Sequence, residues 1–329
     1  MRKSRLGFLG VGWIGRHRME AMLATGSVEA AVLSDPSPDM LAAARALAPD
    51  AAVVGSLDAM LAQDLDGIVI ATPSGLHAEQ SIRALENGVA VFCQKPLGRN
   101  AAEAARVVAA ARTADRLLSV DFSYRFTIGM IRIAELVRTG ALGDVYAVDL
   151  TFHNAYGPDK PWFYDRSQSG GGCVMDLGVH LVDLALWVLD FPGATADISA
   201  ALFAQGMPLV TLDRTEDYAV ASVTLETGTI VRLACSWRLN AGVDARIEAA
   251  FYGTKGGAAM RNVGGSFYDF RTERFTGTTS EVLADAPDDW GGRAAATWAR
   301  RLHADPCFDP AADQLVMVAT ILDRIYASG

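Results

Sequence analysis

At 329 residues the chain is long enough for about two ordinary domains and a large core. Apolar residues make up 51% of it and charged residues 20%, which excludes an intrinsically disordered protein. Thirty-eight acidic against 29 basic residues give a net charge of -9, so the chain lacks the footprint of a protein that binds nucleic acid or an anionic membrane. A phosphorylated cofactor stays open, because backbone N–H groups at a helix start bind phosphate without any basic side chain. No apolar run reads as long as the ~18 residues of a membrane span, and the N-terminus runs straight into a strand pattern. Cys93, Cys173, Cys235 and Cys307 stand far apart with no C-x-x-C pair, which points to reduced thiols and a cytoplasmic setting.

Up to residue 121, short aliphatic runs alternate with Ala-rich helical segments. Leu6–Leu9, Ala30–Leu33, Ala52–Val54, Gly67–Ala71, Val89–Phe92 and Leu117–Val120 are continuous apolar runs without period-2 alternation. That pattern predicts a parallel sheet covered by helices on both faces. Helices are expected over Ile14–Ala24, from Ser37 with Pro38 in the first helical position, and after Asn100, where Glu103 completes a variant capping box. Strand and helix alternating in this way predict a Rossmann-type, doubly wound α/β domain over residues 1–122.

Beyond it the pattern changes. Phe126–Thr139 reads as a helix stopped by Gly140, Val145–Phe152 as a strand, and Val174–Leu189 as a helix after a loop rich in Gly, Pro and aromatics. Ala219, Ala221, Val223 and Leu225 share one face of a strand, and Val231, Leu233, Cys235 and Trp237 share one face of the next. With Glu226–Thr229 as the turn, this predicts an antiparallel hairpin buried on one side. Arg246–Tyr252 adds a strand, and two helices close the chain, the last over Ala311–Ala327. Residues 123–329 are therefore expected to form one α+β domain.

Three motifs carry chemistry. Gly10-Val11-Gly12-Trp13-Ile14-Gly15 follows the first strand and opens the first helix. In such a G-x-G-x-x-G the first Gly allows a tight turn, the second lets the backbone approach a pyrophosphate, and the third lets helix and strand pack closely. Asp35, 20 positions past Gly15, ends the second strand, where a carboxylate takes both adenosine ribose hydroxyls and repels a 2′-phosphate. NAD is therefore expected, with NADP as the alternative; a turn-forming role before Pro36 competes. Next, Gln94-Lys95-Pro96 ends the fifth strand, where parallel sheets bind ligands; Lys95 could donate to a substrate oxygen or be a solvated surface lysine. Finally, Asp176, His180 and Asp183 lie at i, i+4 and i+7 on one helix face. A carboxylate one turn before a His orients the ring and stabilises its protonated form, as a general base requires. The same three residues could also hold a metal, although no second His lies near, or form a purely structural network.

In this order and spacing the motifs resemble the Gfo/Idh/MocA oxidoreductase family over essentially the whole chain. Ala71-Thr72-Pro73 with His77 is similar to its T-P-x-x-x-H segment, and Gly171 to Asp183 matches its G-G-x-x-x-D-x-G-x-H-x-x-D segment. Its E-K-P motif is met at Lys95 and Pro96, but Gln94 replaces the Glu; an amide can still bond a nicotinamide ribose hydroxyl. The resemblance implies Lys95, Asp176 and His180 as the catalytic set, without a metal. It implies a cofactor site built from Gly10, Gly12, Trp13, Ile14, Gly15, Asp35, Ala71, Thr72, Pro73, His77, Gln94 and Lys95. Arg125, Asn154, Trp162 and Tyr164 would border the substrate beside Lys95, Asp176 and His180. It also implies a C-terminal open, mostly antiparallel sheet that builds a homodimer or homotetramer. The activity expected is NAD(H)-dependent hydride transfer at a secondary alcohol of a sugar, cyclitol or related polyol. An NAD-retaining glycoside hydrolase and a non-catalytic NAD-binding regulator are the alternatives.

Overall fold

The structure, a computed structural model, describes residues 2–211 and 213–329. Two compact units divide the chain, one of residues 1–123 and 292–316, the other of 124–291 and 317–329.

In the first unit the strands are β1 (Ser4–Leu9), β2 (Val28–Ser34), β3 (Ala52–Val53), β4 (Gly67–Ile70), β5 (Ala90–Cys93) and β6 (Leu118–Val120). They pair in parallel in the order β3-β2-β1-β4-β5-β6. Leu6, Phe8, Ile68, Ile70, Val91 and Phe92 are buried, which is why no polar residue interrupts these runs. The ladder continues one residue past each strand end: Ala71 N donates to Leu9 O, Gln94 N to Ile70 O and Asp121 N to Cys93 O. Backbone register alone therefore lines up the carboxyl ends of β1, β4, β5 and β6.

One expectation about domain extent needs correction. Residues 292–316, read as part of the second domain, pack with the first unit. The Arg293–Ala304 helix places Trp298 against Phe92, ring centroids 5.6 Å apart, and Leu117 N donates to Pro306 O. A Cβ on Gly67 would come within 2.8 Å of Trp298 and Leu302, so this glycine is the seat for the returning helix. Nothing in the local pattern of an amphipathic helix says which sheet it will cover.

The second unit holds β7 (Val145–Asn154), β8 (Ala194–Ala204), β9 (Met207–Pro208), β10 (Tyr218–Leu225), β11 (Ile230–Ser236), β12 (Ala245–Gly253), β13 (Gly257–Asn262), β14 (Phe270–Thr276) and β15 (Thr279–Ala284). Their order is β15-β14-β13-β12-β7-β11-β10-β8-β9, antiparallel throughout except for the parallel pair of β7 and β11. Ala219 faces Cys235, Ala221 faces Leu233 and Val223 faces Val231, the register the alternation predicts.

The segment expected as one helix over Val174–Leu189 is a π-turn over Val174–Gly178 followed by an α-helix over Val179–Val188. Residues 166–188 are, contrary to the sequence reading, long and apolar enough to pass as a membrane span. Their most apolar window is 89% buried inside the fold, which is the signature of a core helix.

Candidate active site

The glycine loop divides its three glycines between two jobs. Gly10 has φ +86°, and a Cβ there would strike the carbonyl of Ala71. One on Gly15 would strike the carbonyl oxygen of Gly10. Both are required by the fold itself. Around Gly12, by contrast, nothing lies within 4 Å of where a Cβ would stand, and its φ of -59° suits any residue. Gly12 caps the Trp13–Leu23 helix without a side-chain hydrogen bond, and the first turn carries no acidic residue. Free N–H groups, a positive helix end and open space at Gly12 are what a pyrophosphate needs. Trp13 is exposed beside them and stacks on His17, Ile14 is half-buried, and Ala71, Thr72 and Pro73 follow β4 against Gly10.

Asp35 follows β2 and is half-buried. Its Oδ2 accepts from Val11 N at 2.8 Å and its Oδ1 from Ser37 N at 2.9 Å. The turn-forming role is thus real, and it also ties the glycine loop to the end of β2. Each carboxylate oxygen keeps a second lone pair for a ribose hydroxyl.

His77 is placed differently from its expected cofactor contact. It is 1% exposed, with Nδ1 2.7 Å from the Pro96 carbonyl oxygen and Nε2 2.7 Å from that of Thr72. Burial lowers its pKa, the two carbonyls oppose the fall and Lys95 adds to it, so the ring is held towards neutrality and donates to one of the two carbonyls at a time. His77 clamps the loop after β4 to the loop carrying Lys95 and reaches the site only through backbone. Gln94 is buried, and its Nε2 donates to Asp121 Oδ2 at 2.7 Å. Lys95 is half-buried at the end of β5.

In the second unit, Asp176 lies on the π-turn, half-buried, with Oδ2 accepting from Trp237 Nε1 at 3.0 Å. His180 is 8% exposed, with Tyr124 edge-on to its ring at 5.0 Å and Phe152 at 6.3 Å. Asp183, expected on the same face, is instead committed to Arg125, whose Nε donates at 2.8 Å and whose Nη2 makes a second bond. Burial raises the Asp183 pKa, and the Arg125 guanidinium opposes that rise. Arg125 also lies over the Phe191 ring, so two of its donors anchor the 3₁₀ turn Ser123–Phe126 to the Val179–Val188 helix. With Asp183 engaged, no three His, Cys, Asp or Glu side chains among the described residues are grouped to hold a metal.

The Asn154–Arg166 loop packs against the same Trp237 that holds Asp176. Phe163 and Tyr164 meet the Trp237 ring edge-on, Trp162 stacks on Phe163 at 3.8 Å, and Arg238 donates to the Tyr164 hydroxyl. Asn154, at the end of β7, has a buried Oδ1 with no hydrogen-bond partner, an acceptor matched to a hydroxyl donor.

Two residues at the site escaped the sequence reading. Trp237 was placed correctly on the buried face of its hairpin, and that face is the one the 174–188 segment covers. Glu216 gave no signal at all, lying before β10 in a loop. It is fully buried, its Oε1 accepts from Val174 N at 2.9 Å and Tyr326 Oη at 2.7 Å, and both its oxygens take Gly172 N. Burial raises its pKa, while these donors oppose the rise. Cys173 and Cys235, far apart in sequence, approach to 3.8 Å between Sγ atoms.

Residues 4–122 match the family model described as an oxidoreductase family with an NAD-binding Rossmann fold, and residues 130–259 match the GFO/IDH/MocA C-terminal domain. A D-glucoside 3-dehydrogenase of Escherichia coli is 26% identical over 286 residues, covering 82% of this chain and 78% of the relative. An inositol 2-dehydrogenase of Rhizobium meliloti is 29% identical over 262 residues, covering 78% of this chain and 76% of the relative. Levoglucosan dehydrogenase in complex with NADH and levoglucosan superposes with a TM-score of 0.83 at 19% identity, over 99% of this chain and 97% of that one.

Proposed function

The chain belongs to the Gfo/Idh/MocA family of NAD(P)-dependent oxidoreductases, and within it we propose that this protein oxidises a secondary alcohol of a sugar, cyclitol or related polyol with NAD as the preferred cofactor. The observation that carries the reading is the open Gly12 at the helix start of the first unit, and the second unit adds, within itself, a half-buried Asp176 on the π-turn and a buried His180 on the helix that follows. The loop fits a dinucleotide because two of its glycines are closed by backbone and the third is left clear. Held at the glycine loop by backbone N–H groups and at Asp35, NAD would supply the acceptor for the hydride that leaves the carbinol carbon. His180 takes the hydroxyl proton on its imidazole as general base. Asp176 stabilises the resulting positive charge, itself held by the Trp237 N–H. The Lys95 ammonium donates to the alcohol oxygen and offsets the negative charge that develops there. Asn154 Oδ1 accepts from a further substrate hydroxyl. The preference for NAD rests on the Asp35 carboxylate at the end of β2, with no arginine following it. The same reading assigns self-association to the open face of the nine-stranded sheet, where Thr151, Ser199, Ala201, Val220, Ser222 and Ala234 line a shallow hollow beside the Arg232–Asp149 ion pair.

A panel of free polyols, cyclitols and aldoses, read as NADH absorbance with NAD and with NADP, tests the proposal. NADH formed from one or more free substrates, faster with NAD, is the expected result. NAD-dependent cleavage of glycosides without net NADH would overturn it.

A further inference from the structure

In the first unit a closed hydrogen-bond network surrounds Asp121, which follows β6 and is 2% exposed. Its Oδ2 accepts from Arg18 Nε at 2.6 Å and from Gln94 Nε2 at 2.7 Å, and its Oδ1 accepts from Ser123 Oγ at 2.6 Å. Arg18, 6% exposed on the helix that starts at the glycine loop, also donates from Nη2 to Ser123 Oγ at 2.9 Å, and its Nη1 lies 2.8 Å from His17 Nδ1. One buried charge is thus matched by one buried countercharge, and two neutral donors, Gln94 and Ser123, bind the same carboxylate.

We propose that Asp121 is a positioning residue for the cofactor, acting by fixing which end of the Gln94 amide faces the nicotinamide ribose. The inference rests on the reading of Gln94 as a ribose contact. A carboxylate already paired with Arg18 can only accept, so the amide atom turned towards it must be Nε2. The carbonyl Oε1 is then turned away, at the strand end where Gln94 and Lys95 stand together, as an acceptor for a ribose hydroxyl. An unconstrained glutamine would sample both amide orientations and several rotamers, and binding would have to select one of them. Arg18 carries the same constraint back to the glycine-loop helix, so two parts of the cofactor site share one buried anchor. The network also explains why an amide rather than a carboxylate suits position 94 in this chain. A carboxylate there would place two buried negative groups at hydrogen-bond distance with only one arginine to offset them.

NADH binding, followed by the change in its fluorescence, tests this independently of turnover, with thermal melting as the folding control. Asp121→Asn keeps the shape but lets either end of the Gln94 amide face it, and should weaken NADH about tenfold, as for one lost hydrogen bond. Gln94→Glu should weaken NADH by at least as much. The double variant Gln94→Glu with Asp121→Asn should recover most of that loss, because an amide at 121 can donate to the new carboxylate. Gln94→Glu binding NADH as tightly as wild type, or no recovery in the double variant, would overturn the proposal. So would unchanged NADH affinity in an Asp121→Asn variant that thermal melting shows to be folded. A Gln94→Ala variant that binds NADH normally would instead overturn the ribose contact on which the proposal rests.

Discussion

A single methyl group distinguishes the glycines of the dinucleotide loop. Gly12→Val adds its side chain to open space on permissive backbone, so the variant should fold with a melting temperature close to wild type and lose NADH binding. Gly15→Ala drives a methyl into the Gly10 carbonyl and should instead lose stability by several kcal/mol. Calorimetry and thermal melting on the two variants check this contrast; an unchanged NADH dissociation constant for Gly12→Val would remove the pyrophosphate reading. His77 makes a second residue-scale prediction. Its folded pKa is below the ordinary value, so the unfolded chain binds more protons and stability rises with pH through this group. Stability from His77 is therefore present above about pH 6.5 and is lost as the pH falls below it, by no more than ~1.4 kcal/mol per pH unit. His77→Gln should lack this component, which denaturant unfolding from pH 7 to pH 5 would show as a flatter profile than wild type.

Among the elements, the π-turn Val174–Gly178 depends on a residue far away in sequence. Glu216 satisfies the N–H groups of Gly172 and Val174, which the start of a helical segment otherwise leaves orphaned in the core. Glu216→Ala should cost about 2–4 kcal/mol in denaturant unfolding. Glu216→Gln keeps an acceptor for those groups and removes a buried charge, so it should stay within about 1 kcal/mol of wild type. Equal losses in the two variants would mean that the charge, not the hydrogen bonds, holds the turn. Here the sequence was only partly legible. Period 3.6 finds the helix and puts Asp176 and His180 on it, but a π-turn leaves no mark in residue pattern. Ser37, Asn100 and Thr127 cap their helices by side-chain acceptance, and the first two could be read directly. At Asn100 the capping box closes one residue early, because Glu103 takes Arg99 N. The hairpin of β10 and β11 was legible to the residue because one of its faces is buried, whereas β13 to β15 gave no signal. In β14, Phe270 and Thr272 alternate with Arg271 and Glu273, but Arg274 then puts a charge on the buried face and cuts the pattern short, and β15 is exposed at the sheet edge.

For the whole molecule, the return of residues 292–316 to the first unit sets how the chain can be divided. Residues 1–123 alone would leave Phe92 and the Gly67 seat uncovered, so that fragment should be insoluble or molten, while a fusion of 1–123 to 292–316 should fold. Circular dichroism of the two fragments distinguishes these outcomes, and a stable 1–123 fragment would contradict the packing described. The base of the proposed chemistry, His180, is the claim on which the rest depends. The most direct measurement is kcat for His180→Ala, on any polyol the wild type oxidises, alongside the NADH dissociation constant of the same folded protein. A general base at His180 predicts kcat lower by ~10²–10⁴-fold with NADH affinity unchanged. Wild-type turnover in a folded His180→Ala variant would contradict it.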